Sequence, residues 1–179
     1  FLIERSTGNT FTCGATNAAG TQILTMGTTG TYTTNAAWRH LLISWDLATA
    51  LTHLYINDVS DNSTTLATND TIDYTQADWS IGGAGTGAFK LNGCLAELYF
   101  AVGTFLDFSV IHNRRKFISA SGKPVHLGTT GALPTGTAPI VYQRLASGAA
   151  ASSFATNLGT GGNFTITGAL TTGSSTPST

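Results

Sequence analysis

One stretch limits what this chain can become: Trp38-Arg39-His40-Leu41-Leu42-Ile43-Ser44-Trp45-Asp46. It is short, apolar, rich in aromatic and branched residues, and bounded by turn formers, which predicts a long central β-strand. His53-Leu54-Tyr55-Ile56-Asn57 reads as its antiparallel partner, linked through 47–51. A third long strand is expected over 89–100. Shorter strands are expected at 1–3, 10–13, 21–26, 64–67, 79–81, 140–145 and 164–167. Alternation along 10–13 puts Phe11 and Cys13 on one face. Residues 58–63 read as a turn. Helix signals concentrate in 107–118, where Asp107 or Ser109 offers an N-cap and Val110, Ile111, Arg114 and Phe117 have roughly helical spacing.

Composition narrows the class. With 179 residues the chain suffices for one β-domain with a substantial core, or one domain plus an appendage. Only 9% of residues are charged, well below the usual quarter or so. Thr, Ala, Gly and Ser fill the gap. Hydrophobic residues at 41% and a formal charge of −1 argue against disorder. The same charge gives no electrostatic footprint for nucleic acid or an anionic membrane. No apolar run approaches the ~20 residues of a membrane helix. The chain opens at Phe1-Leu2-Ile3 without a Met and inside an expected strand, which reads as a fragment lacking earlier strands. Two cysteines, Cys13 and Cys94, are too few for a disulfide framework.

Four motifs follow one another in order: Trp38-x-His40-Leu41-Leu42-Ile43-Ser44-Trp45-Asp46, Leu54-Tyr55-Ile56-Asn57-Asp58, Trp79-Ser80-Ile81-Gly82-Gly83, and Phe89-x-Leu91-x-Gly93-Cys94-Leu95-Ala96-Glu97-Leu98-Tyr99-Phe100. This order resembles laminin-G-like, concanavalin A-like jelly-roll domains over 38–100. Further on come Asn113-Arg114-Arg115-Lys116-Phe117, Gly122-Lys123-Pro124-Val125, Leu133-Pro134-Thr135-Gly136 and Asn157-Leu158-Gly159-Thr160-Gly161-Gly162-Asn163-Phe164. These are similar to the C-terminal continuation of laminin-G-like proteins of tailed bacteriophages and prophages.

The resemblance implies an all-β fold, an antiparallel β-sandwich of jelly-roll type with one short helix near 107–118. It implies a jelly-roll domain at 1–118, a glycine- and threonine-rich extension at 119–172 adding strands to it, and a low-complexity tail at 173–179. It also implies a non-enzymatic virion structural module of tail, neck or capsid surface, decorating the particle or assisting host-surface attachment. The expected partners are other virion proteins or copies of itself in a homo-oligomer or array, with host-surface glycans as a further partner. Residues 119–179 are the expected contact surface. The alternative is a carbohydrate-binding lectin module of a secreted, extracellular or cell-surface protein; a divergent glycanase is the third reading. Laminin-G-like domains often join the position of Cys94 to a later cysteine, and none follows here. A phage protein assembles in reducing cytoplasm, so both cysteines are expected to be free and buried.

Candidate chemistry is sparse. Glycoside hydrolysis uses two facing carboxyl groups, yet Glu occurs only at Glu4 and Glu97. Glu97 is expected to play a structural part, paired with Arg39 or His40. Calcium takes several oxygen ligands, and Asp58, Asp61, Asp70 and Asp73, with Asn62 and Asp78, fall in connections that could supply them. Asp and Asn are equally good turn residues. No other cofactor is expected. Sugar sites use aromatic faces, and Tyr32, Tyr74 and Trp79 lie in or beside loops; Trp38 and Trp45 read as packing. The histidines look scattered, and no nucleophile elbow is present. The glycine run 82–87 lacks the Lys-Ser/Thr ending of a phosphate loop and reads as a hairpin turn.

Overall fold

The structure, a computed structural model, describes residues 1–33, 37–76, 79–83 and 89–177. Asp78, most of the 82–87 turn and the last two residues of the tail lie outside the described residues. The fold is all-β, with antiparallel strands, one single-turn helix and one 3-10 turn at Ala151–Ala155 among the described residues. The chain divides into two compact units, Phe1–Gln76 with Phe105–Gly122, and Ala77–Thr104 with Lys123–Thr179.

In the first unit, β1 (Leu2–Arg5), β2 (Phe11–Thr16), β3 (Gln22–Gly27), β4 (Leu41–Asp46), β5 (Leu51–Ile56), β6 (Val59–Ser60) and β7 (Ser63–Ala67) follow in order. They build two sheets, β1-β2-β3-β7 and β4-β5-β6. Period-two patterning explains the inward face of β2, where Cys13 and Ala15 are buried and their neighbours are less so. Ile23, Leu24 and Met26 from β3 join Leu54 and Ile56 from β5, so one hydrophobic cluster takes side chains from both sheets. Phe11 packs against it, as the shared face with Cys13 predicts.

The expected pair centred on 38–46 is present, in register from Leu41↔Ile56 to Asp46↔Leu51. It is shorter than expected at its start. His40 instead bonds across to Asn57, its N–H donating to Oδ1 at 2.7 Å and its carbonyl accepting the Asn57 N–H at 2.9 Å. The 58–63 turn expectation also shifts. Ile56 pairs with Val59, so the reversal is the two-residue Asn57-Asp58, with φ of 51° and 69°. Positive φ at both positions is what a tight primed hairpin demands, and Asn and Asp tolerate it best after Gly.

The helix is one turn, α1 (Ile111–Arg114), well short of 107–118. Its N-cap is Val110, without a side-chain cap. Asp107 caps an earlier turn instead, accepting the Ser109 N–H at 2.8 Å. The apolar residues around α1 anchor this segment: Phe108 and Phe117 are buried edge to face, 5.8 Å between centroids, and Ile118 is buried too.

In the second unit, β8 (Glu97–Phe100) pairs antiparallel with β9 (Val141–Arg144), Glu97 opposite Arg144. The long strand expected over 89–100 therefore survives only in its last four residues. Phe89 is 92% exposed with φ 54°, Leu91 and Leu95 are exposed, and the Leu91 N–H donates to the Gly82 carbonyl. Gly82 and Asn92-Gly93 interrupt any ladder there. Residues 79–83 likewise form no strand, with bends at 81–83. Cys94 falls in this irregular stretch and is exposed, against the expectation of burial, while Cys13 is buried; both are free. Burial pushes the Cys13 thiol up to about 12.

The second edge of β9 is covered by the glycine-rich motif, not by a strand at 164–167. Asn157 acts as a strand mimic: its Oδ1 accepts the Tyr142 N–H at 2.8 Å and its Nδ2 donates to the Ile140 carbonyl at 2.9 Å. The N–H groups of Leu158, Thr160 and Gly161 then reach the carbonyls of Tyr142, Pro139 and Ile140. Backbones meet so closely that a Cβ at Gly159 would sit 2.5 Å from the Pro139 oxygen. Glycine is needed here for approach rather than for a turn.

Candidate functional site

The aspartates singled out as calcium ligands serve three separate braces. Asp58, in the β5–β6 turn, takes Arg114 Nε at 2.6 Å and Arg115 at 2.8 Å, and Arg114 also lies over the Tyr55 ring at 4.6 Å. This clasp fixes α1 to the hairpin. Burial opposes the Asp58 charge, but the two guanidinium groups outweigh it and hold the carboxyl below the usual carboxylate range. Asp61 accepts the Thr29 N–H and hydroxyl, the Gly30 N–H and the Tyr32 hydroxyl. Burial again opposes ionisation, and these bonds overcome it. Among the described residues no three His, Cys, Asp or Glu side chains gather as a metal cage.

Asp70 and Asp73 come together with Tyr74 at a third place. A shallow, open cavity of about 370 Å³ lies between the β2–β3 turn at 17–19 and the segment 70–75. Asn17 shapes that turn: its Oδ1 accepts the N–H groups of Ala19 and Thr21, and its Nδ2 donates to Asp70 Oδ2 at 2.8 Å. Asp70 Oδ1 accepts the Thr71 N–H. Asp73 accepts the Thr75 N–H and hydroxyl and the Gln76 amide. These hydrogen bonds hold both carboxyl groups below their usual range. The Asp73 N–H ties the segment to the Thr16 carbonyl. Tyr74 is half-buried, its ring 6.2 Å from Phe1 and its hydroxyl bonded to Trp45. Ala18 and Ile72 supply further apolar lining.

The other two aromatics lie elsewhere. Tyr32 stands between Phe11, 5.5 Å away, and the Arg39 guanidinium, 4.8 Å over its face. Burial first, and the bond to Asp61 second, push its hydroxyl up to about 12. Its face is already occupied by Arg39, and its hydroxyl by Asp61. In the second unit, Trp79 is 40% exposed and packs 5.6 Å from Phe100.

Glu97 does not meet Arg39 or His40. Burial raises its pKa, against the lowering influence of the Tyr142 hydroxyl, Arg144 and His126 of its own unit. The physical reason is register: β8 pairs with β9, so Glu97 stands opposite Arg144. Of the scattered histidines, His53 has an acidic partner. His53 Nε2 lies 3.0 Å from Asp107 Oδ1, and its ring stacks on Phe105 at 6.0 Å. Ser44 stands opposite His53 in the ladder. The trio carries the residue types of a nucleophilic set, but the Ser44 hydroxyl is buried and makes no hydrogen bond among the described residues. The His53–Asp107 contact acts as a second latch on the α1 segment. No sequence motif signals it: the β4–β5 register sets Ser44 opposite His53, and the segment leading into α1 carries Asp107 to the imidazole.

No family model, curated protein or solved structure matches the chain.

Proposed function

We propose that this chain is a non-enzymatic module of a tailed-phage virion, laminin-G-like in kind, that decorates the particle or assists attachment to a host surface. The observation that supports this most is how the loop carboxylates are used. Asp58, Asp61, Asp70 and Asp73 each accept hydrogen bonds from within their own unit. They stiffen connections between short strands, as a display scaffold requires. Low charge and abundant hydroxyl side chains suit short-range contacts over electrostatic steering. Weak contacts of that kind add up when many copies engage together. The test combines the mass of the chain in solution with a reducing-sugar assay on bacterial polysaccharides. The reading expects multimers and no released sugar. A monomer that cleaves glycans contradicts it.

A lectin module is the second reading, favoured by one observation: the open cavity that gathers Asp70, Asp73 and Tyr74.

A further inference from the structure

We propose that the cavity between 17–19 and 70–75 is a subsite for one pyranose unit of a neutral glycan, bound without a metal ion. The proposal rests on the reading of the chain as a non-enzymatic binding module and names what that module would hold. Its volume of about 370 Å³ sits at the lower end of the ~300–1,000 Å³ of small-ligand sites. A sugar unit needs acceptors for its hydroxyl groups and an apolar surface for its C–H face. Both are present: carboxylates from Asp70 and Asp73, and Ala18, Ile72 and Tyr74 as apolar lining.

The carboxylates are suited to hydroxyl donors. An ionised carboxylate offers about four lone-pair sites. Asp70 spends one on the Thr71 N–H and one on the Asn17 amide, leaving each oxygen able to accept again. Both groups are held in the ionised form by these bonds and those at Asp73. The internal donors also fix the carboxylates in place, so little ordering is left for a ligand to impose. Tyr74 is fixed in the same way by Trp45 and Phe1.

Charge selects the ligand class. Among the described residues two carboxylates and no Lys or Arg line the cavity, so an acidic sugar or a phosphate would be repelled. A calcium ion would find only two carboxylates here, and among the described residues no three His, Cys, Asp or Glu side chains gather as a metal site. Tyr32 offers no equivalent site, since Arg39 covers its ring.

The experiment is amide NMR on the whole chain, titrated with glucose, galactose, mannose, N-acetylglucosamine and sialic acid up to about 100 mM, with EDTA and with added calcium. The expected result is saturable, millimolar shifts of amides in 17–19 and 70–75 with at least one neutral sugar, in EDTA, and none with sialic acid. Asp70→Ala should weaken binding at least about tenfold. Ala18→Trp, at an exposed turn position, should abolish it by filling the cavity while leaving the carboxylate network intact. The proposal is overturned by no saturable shift with any neutral sugar, by shifts that require calcium, or by binding that survives Ala18→Trp. The mass of the same sample keeps the two readings apart. A multimer silent to every sugar sinks the subsite alone; a monomer that binds a hexose here keeps the subsite and contradicts assembly in many copies.

Discussion

Asp61 shows how one side chain sets a local structure. Its carboxylate collects the Thr29, Gly30 and Tyr32 donors that hold the 28–32 connection. Asp61→Ala is expected to cost about 2 kcal/mol by orphaning them, measured by urea unfolding at neutral pH. The Asp61 pKa is depressed in the folded state, so its stabilisation is present at neutral pH and is lost as pH falls through the folded value. The gap between wild type and Asp61→Ala should therefore close in acid. Glu97 has the opposite sign. Its folded pKa is raised, chiefly by burial, so its contribution is full in acid and is lost as pH rises through the folded value. Glu97→Gln should thus gain on wild type as pH rises above the carboxylate range; a variant that loses ground with rising pH contradicts the assignment. Sequence alone pointed to a buried, partnered Glu97 but not to its partner, because strand register decides that.

Two elements are held in different ways, the 157–161 strap by close backbone contact and α1 by side chains. In the second unit the 157–161 strap covers β9, with Gly159 against the Pro139 carbonyl at a Cβ distance of 2.5 Å. Gly159→Ala is expected to lift the strap, costing about 1–3 kcal/mol and raising hydrogen exchange at Tyr142, Leu158 and Gly161. In the first unit, Asp58→Ala removes the clasp on α1 and leaves two guanidinium groups half-buried. Exchange over 105–118 should rise, with a stability loss of about 2 kcal/mol. Sequence reading found β4 and β5 because alternating, β-branched runs between turns are a strong local signal. The third strand is shorter than its sequence suggests because 89–96 has strand-like composition but, among the described residues, no ladder partner. Sequence reading took Asn157 to Asn163 as a motif without its use, since covering an edge is a long-range relation.

At the scale of the molecule, the strand-like stretches limited the class most and composition narrowed it. Few charges, many hydroxyls and period-two hydrophobicity pointed to an antiparallel β-protein, and that is what the chain forms. Of the expected site residues in the first unit, Asp70, Asp73 and Tyr74 converge, Asp61 and Tyr32 bond to each other, and Asp58 serves the clasp on α1; Trp79 belongs to the second unit. That grouping was not legible, because it depends on the 70–75 segment docking beside the β2–β3 turn. The virion reading turns on whether this 18.5 kDa chain works alone. The decisive measurement is its mass in solution by light scattering across a wide concentration range. The reading predicts a defined multiple of 18.5 kDa, or growth into larger arrays as concentration rises. A mass that stays at 18.5 kDa throughout would contradict it.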